Sequence, residues 1–484
     1  MKKILTLALF LTVAEAFLPA RAQNTPLKPS VTYEKMKANA ARLPEIGEIV
    51  TQAPDLSKEY WWSVGCETLD RDFADFDKFK DYFVELGIGY ARLQSGWAKT
   101  EKEKGKYDFA WLDHIVDGLI ERGVKPWMCL CYSNPIYNEG SVNLGSAIFT
   151  DKETVKAWNK YVEAVAKRYK GKVTMYEVWN EPKFTPENVE PCANLYINTA
   201  ESIRKHDKNV PIAAFGLHGL PKSTDWVRQV FESVKAKGKA HLLDKLTYHT
   251  YFPCPESSVA PVKELEETVK AIAPQIQLLQ GESGCPSQLE YGHAMHSREW
   301  TEYSQVKWNL RHMLTDFSMG IPSSVFTMVD LQYKNYMLQS FGQLRCDLAG
   351  AVRYKRPSFY GVRNLASIIT KDFQPSDDFT ISYSGEERIS AVGLSKDGKT
   401  VGVFVWFSDE EPNSCLERKE VSLSIDGIDL ANTVYVDPVL GKVYDLKNCL
   451  YAGDRTKGHT RYHGLPLWDC PVLIINQSYL KMKK

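Results

Sequence analysis

The sequence predicts an α/β chain, a closed (β/α)8 TIM barrel followed by a C-terminal β-sandwich. Three observations predict it. From Tyr60 to Ile369, short apolar runs alternate with amphipathic segments through eight repeats, a number that fits a closed barrel better than an open sheet. Beyond about Asp372 the texture changes to short β-rich runs with no helical period between them. Two of the apolar runs, Tyr176 to Asn180 and Gln277 to Gly281, end on a glutamate, and a barrel places its chemistry at the C-terminal ends of its strands.

Taken in order, the chain opens on Met1-Lys2-Lys3, the apolar run Ile4 to Val13, and Ala20-Arg21-Ala22 before Gln23. This is the pattern of a signal peptide over 1–22, and it predicts a secreted or periplasmic protein. The apolar run is too short to span a membrane, and Gln23 in place of a cysteine gives no support for a lipid anchor. A polar lead-in over 23–58, carrying Pro26, Pro29, Pro44 and Pro54, is expected to be extended with one short helix. The barrel is placed over 59–371 and the β-sandwich domain over 372–484.

The first barrel strand is expected over Tyr60 to Cys66, followed by a helix face of Phe76, Phe79, Phe83 and Leu86 that ends at Gly87. Ile88 to Leu93, Val124 to Cys131 and Val173 to Trp179 read as strands two to four. Ile212 to Phe215, Leu246 to Tyr251, Ile276 to Gln280 and Val325 to Val329 read as strands five to eight, with a closing helix from Pro357 to Ile369. In the last part, Lys396-Asp397-Gly398 between β-rich runs is a hairpin turn.

Lys plus Arg and Asp plus Glu each number 60, and removal of 1–22 leaves the chain slightly acidic. That argues against nucleic acid or an anionic membrane surface as partner. Of the 10 cysteines, Cys66, Cys129 and Cys131 fall in apolar runs and read as buried free thiols, while Cys415, Cys449 and Cys470 leave room for one bridge of open pairing.

The fourth strand ends in Trp179-Asn180-Glu181-Pro182. Proline at 182 removes a ladder donor and is expected to hold Glu181 in extended backbone at the barrel mouth. The seventh run ends in Gly281-Glu282-Ser283. A second carboxylate facing the first is what cleavage of a glycosidic bond requires: one carboxyl protonates the leaving oxygen while the other attacks the anomeric carbon.

Asn180-Glu181-Pro182 on strand four, Glu282 on strand seven, Arg92 on strand two and His249-x-Tyr251 on strand six resemble the clan A glycoside hydrolases, retaining enzymes on a (β/α)8 barrel. Trp97, Lys104 to Phe109, and Leu112-Asp113 are similar to the opening of the β-xylosidase and iduronidase family and its neighbours. The resemblance implies Glu181 as general acid/base, Glu282 as nucleophile and Asn180 as the holder of the sugar's 2-hydroxyl. It also implies that Arg92 and Tyr251 bond Glu282 and that His249 lines the site. The chain departs from the clan twice. Val325 to Asp330 stands where many families carry a Trp, and Tyr132-Ser133-Asn134 where several have a His. Trp97, Trp179, Asn134 and Asp330 complete the candidate substrate contacts, with Trp179 serving either as sugar platform or as barrel packing.

The implied substrate is an oligosaccharide or polysaccharide with a β-linked or equivalent α-L-linked sugar. No metal and no cofactor is expected. Two rival classes are a barrel that binds glycans without cleaving them, which has no need of paired carboxylates, and a metal-dependent barrel hydrolase built on His293 and His296, for which no HExxH motif exists. Long loops after strands three, seven and eight carry Tyr132, Tyr137, Tyr291, His293, Trp300 and Tyr333, and predict a walled pocket acting on chain ends.

Overall fold

The computed structural model describes residues 27–56, 61–137, 148–333, 337–428, 430 and 432–484. The signal-peptide reading falls on residues outside that set. The lead-in holds one short helix, Val31–Ala38, capped by the Ser30 side chain, and then a strand, β1 (Glu45–Ile49), that joins a sheet of the C-terminal part.

The eight barrel strands are β2 (Trp62–Gly65), β3 (Tyr90–Gln94), β4 (Lys125–Leu130), β5 (Tyr176–Asn180), β6 (Ile212–Leu217), β7 (Lys245–His249), β8 (Gln277–Ser283) and β9 (Ser323–Val325). All pair in parallel with their chain neighbours, and β9 pairs back to β2 through Trp62 with Ser323 and Val64 with Val325, closing the barrel. Every residue of β5 and of β6 is buried. Such strands, covered on both faces, read as continuous apolar runs. The helices between them bury one stripe. In Lys152–Arg168, Trp158, Tyr161, Val162 and Val165 face inward, and Asp151 caps the first turn by accepting from the Glu153 and Thr154 amides.

Two expected elements differ. The eighth strand lies at Ser323–Val325, ahead of the expected run, because its register is fixed by pairing with β2. After Val325 the chain leaves the sheet, Met328 N bonding Gly65 O at 2.9 Å. The first helix face is split into a single 3-10 turn, Phe76–Lys78, and a short helix, Tyr82–Leu86; Gly87 closes it with φ +70.

The C-terminal part forms an eight-stranded and a four-stranded antiparallel sheet. Val403, Val405, Val434 and Val436 of the larger sheet and Val421, Leu423 and Ile425 of the smaller one share a buried core, as a β-sandwich requires. It is tied to the barrel by Lys307 to Asp469 at 2.6 Å and by the Trp406 indole to Glu256 at 2.7 Å. All ten cysteines lie among the described residues and are free, so the pairing left open for Cys415, Cys449 and Cys470 is not made. No helix among the described residues is long and apolar enough to cross a membrane.

Candidate active site

The strand ends bring two carboxylates together over a buried arginine. Glu282, next to last in β8, has each oxygen bonded: Arg92 Nη1 donates to Oε2 and the Tyr251 hydroxyl to Oε1, both at 2.8 Å. Arg92, on β3, is wholly buried. It also donates to Glu177 Oε2 from Nε and Nη2, at 3.0 and 2.5 Å, and to Asn180 Oδ1 at 2.7 Å. Asn180 ends β5 and donates in turn to the Tyr132 hydroxyl at 2.8 Å.

Glu181 follows Asn180. Its backbone is not extended as the proline predicts; φ is +51, and Trp179 stands at +70. The left-handed conformation is unfavourable for residues with a side chain and persists where surroundings over-determine it. Here Glu181 N donates to Gly216 O at 3.0 Å while its carboxylate Oε1 meets His249 Nδ1 at 2.8 Å. The irregularity at Trp179 also lets Glu177 and Asn180, three residues apart, both reach Arg92, which a strict two-residue strand period forbids.

His249 is the last residue of β7 and pairs in register with Glu282 across a bulge. Burial pushes its imidazole down to about 4, so it is neutral in the ordinary working range. Nε2 is buried without a partner. An unpaired lone pair is less costly there than an unpaired N–H, so we assign the proton to Nδ1, donating to Glu181 Oε1. Oε2 of Glu181 is then the oxygen left to carry a proton. Its carboxyl is raised above the usual range, first by burial, against the pull of His218 and Arg92. Gly216 makes room for this ring, since a Cβ there would lie 2.5 Å from His249 Cε1. One oxygen or nitrogen from each of Glu181, His249 and Glu282 lies within 4.8 Å of the others.

Four further sequence candidates sit elsewhere. Trp97 is fully buried, its indole bonded to Glu101 and its ring packed between Tyr137 and Tyr161. Trp179 is fully buried against Trp158 and Phe149, its positive φ carrying the ring into the layer between barrel and helices. Asn134 shapes its own loop, donating to Glu101 O at 2.7 Å and accepting from Ile136 N. Asp330 is buried in a two-pronged pair with Arg356 at 2.6 and 2.9 Å. Removing one partner of such a pair strands a buried charge. Asp330→Ala is therefore expected to lose about 3–5 kcal/mol of unfolding free energy in urea melts, without the loss of turnover that a substrate contact would bring.

The loop aromatics divide likewise. Tyr132 reaches the site through Asn180. Tyr333 packs at a tilt against Phe73 at 4.6 Å and His293 at 4.4 Å, its phenol pushed up to about 12 by burial, with the charges of Arg71, Glu282 and Glu181 also acting on it. Tyr137 and Trp300 are core, Tyr291 is exposed, and residues 138–147 of the loop after β4 lie outside the described set. His296 is exposed beside Ser297, and no metal-ligating cluster among the described residues includes it or His293.

Sequence reasoning missed Glu177 and Glu67. Glu177 holds Arg92 and accepts from the Thr247 hydroxyl. Glu67, just after β2, faces Arg92 Nη1 at 3.4 Å. Three carboxyls around one guanidinium leave an excess of buried negative charge, and Glu67 takes up the proton, its carboxyl raised to about 8 by burial against the pull of Arg92. The signal for Glu177 was a charged residue inside an apolar run; Glu67 directly follows one.

The family model "Glycosyl hydrolases family 39" matches residues 56–279, a stretch that includes Arg92, Asn180, Glu181, His249 and Tyr251 and stops short of Glu282. A β-xylosidase from Caldicellulosiruptor saccharolyticus is 28% identical over 149 residues, 26% of this chain and 30% of that protein. A β-galactosidase from Haloferax lucentense is 38% identical over 53 residues, 11% of this chain and 8% of that protein. The chain thus spans less than a third of either. A family 39 glycoside hydrolase from Bacteroides cellulosilyticus WH2 has the same fold with a TM-score of 0.62 at 16% identity, covering 86% of this chain and 80% of its own. A monomeric β-xylosidase from Caulobacter crescentus CB15 gives 0.56 at 16% identity over 89% and 97%. In sequence over most of its barrel, and in fold over most of its length, this chain is similar to glycosyl hydrolases family 39.

Proposed function

We propose that the chain is a retaining glycoside hydrolase that removes terminal sugars from oligosaccharides or polysaccharides. The observation that carries this reading is the approach of Glu181 and Glu282, with carboxylate oxygens within 4.8 Å of each other. Direct attack needs carboxyls about 5–5.5 Å apart, whereas an inverting pair leaves room for water at about 6.5–9.5 Å. In the first step Glu282 attacks the anomeric carbon while Glu181 gives its proton to the glycosidic oxygen, so the C–O bond breaks and a glycosyl-enzyme forms. In the second, Glu181 takes a proton from water, whose oxygen displaces Glu282.

The same three groups are close enough to hold a cation. Arg92 already brings positive charge to Glu282 Oε2, and His249 Nδ1 already serves Glu181, which favours the acid and nucleophile reading. Tyr333, His293 and Phe73 standing together near the carboxylates support a walled pocket and action at chain ends. Residues 1–22 support export to the periplasm or medium. The likeness to a β-xylosidase and a β-galactosidase makes aryl β-D-xylosides and β-D-galactosides the first substrates to test. Proton NMR of the early product is expected to show the anomer of the substrate; the opposite anomer as first product would mean inversion.

A further inference from the structure

The loops after β5 and β6 bring an aromatic ring and a histidine to Glu181 that the two-carboxylate reading does not use. Phe184, three residues beyond Glu181, is half-buried, and its ring meets the His218 imidazole edge to face at 5.0 Å. Gly219, at φ +78, makes room for it, because a Cβ there would come within 2.8 Å of Phe184 Cε1. Gly216, two residues before His218, accepts from Glu181 N at 3.0 Å, which places the imidazole on the acid's side of the site; burial holds the imidazole low, and the charges of Glu181 and His249 also act on it. His218 Nδ1 is buried without a partner while the ring as a whole is half-exposed. By the argument used for His249, the proton belongs on the other nitrogen, and Nε2–H is left as a free donor on the half-exposed ring.

We infer that Phe184 and His218 form the leaving-group subsite, taking a second sugar ring with its apolar face on Phe184 and an oxygen bonded to His218 Nε2–H. A half-buried aromatic face with one fixed donor is how carbohydrate-sized ligands are oriented. The inference rests on the proposed hydrolase reading, since the acid marks the side from which the leaving group departs. Binding energy from a non-reacting ring is realised only when that ring is present, so a substrate that lacks it is insensitive to the subsite.

Glycosyl fluorides supply that comparison, because fluoride departs without a ring and without an acid. Wild type, Glu282→Gln, Phe184→Ala, Phe184→Leu, His218→Ala and His218→Gln are assayed on β-D-xylosyl and β-D-galactosyl fluoride, xylobiose and β-1,4-galactobiose. For the glycone that wild type accepts, Phe184→Ala and His218→Ala are expected to lower kcat/KM for the disaccharide at least about tenfold more than for the fluoride. Phe184→Leu and His218→Gln, which keep an apolar face and a donor, should lose less. Equal losses on both substrates, or none on the disaccharide, would overturn the subsite while leaving the hydrolase reading intact. Wild type that cleaves neither fluoride, or Glu282→Gln that cleaves as fast as wild type, would overturn the hydrolase reading and the subsite with it.

Discussion

Glu282→Gln is expected to lower turnover by at least about 10⁴-fold on every substrate, activated or not, with the fold intact by circular dichroism. The amide keeps its one oxygen for Arg92 Nη1 and turns its NH2 to the Tyr251 hydroxyl, which can accept in place of donating, so the site's geometry survives. What is lost is the charge and the nucleophile. No second carboxylate can replace it: Glu177 accepts from Arg92 and Thr247 and is fully buried. Glu67 is buried as well, its Oε1 held 3.4 Å from the same Arg92 Nη1 that serves Glu282. Near-normal hydrolysis by this variant would remove Glu282 from the chemistry.

Glu181→Gln is expected to behave differently, and the difference identifies the acid. On a sugar leaving group the loss should be about 10²–10⁴-fold, the ordinary worth of a positioned general acid, while dinitrophenyl glycosides, whose leaving group needs no proton, should form the glycosyl-enzyme at nearly the normal rate. The pH profile carries a second sign. Burial raises the Glu181 carboxyl, so the protonated acid persists above the usual carboxyl range of about 4.3 and activity falls as pH rises through the raised value. That alkaline limb should vanish in Glu181→Gln. Equal losses on both leaving groups, with the limb unchanged, would mean that Glu181 is not the acid.

The strands could be read from the sequence because burial on both faces leaves an apolar run, and the two glutamates because they interrupt such runs at their C-terminal ends. Arg92, Asn180, His249 and Tyr251 came from a resemblance, and the structure brings all four to Glu181 and Glu282. Side-chain direction could not be read. Trp179 adjoins Asn180 yet points into the helix layer, since a left-handed residue reverses the facing that alternation predicts. Asp330 looked like a strand-end carboxylate, but its partner Arg356 is 26 residues on, and nothing local in the sequence announces that pairing. Glu177 and Glu67 went unseen for the complementary reason: their roles exist only once β2, β3 and β5 lie side by side around one guanidinium.

The most direct test of the central claim is to trap the intermediate. A slow 2-deoxy-2-fluoro glycoside with an activated leaving group forms the glycosyl-enzyme faster than it turns over, and peptide mass spectrometry then locates the sugar. The account predicts one equivalent on the peptide containing Gly281-Glu282-Ser283, lost in Glu282→Gln and retained in Glu181→Gln. A label on Glu181, or inactivation without any covalent sugar, would contradict it.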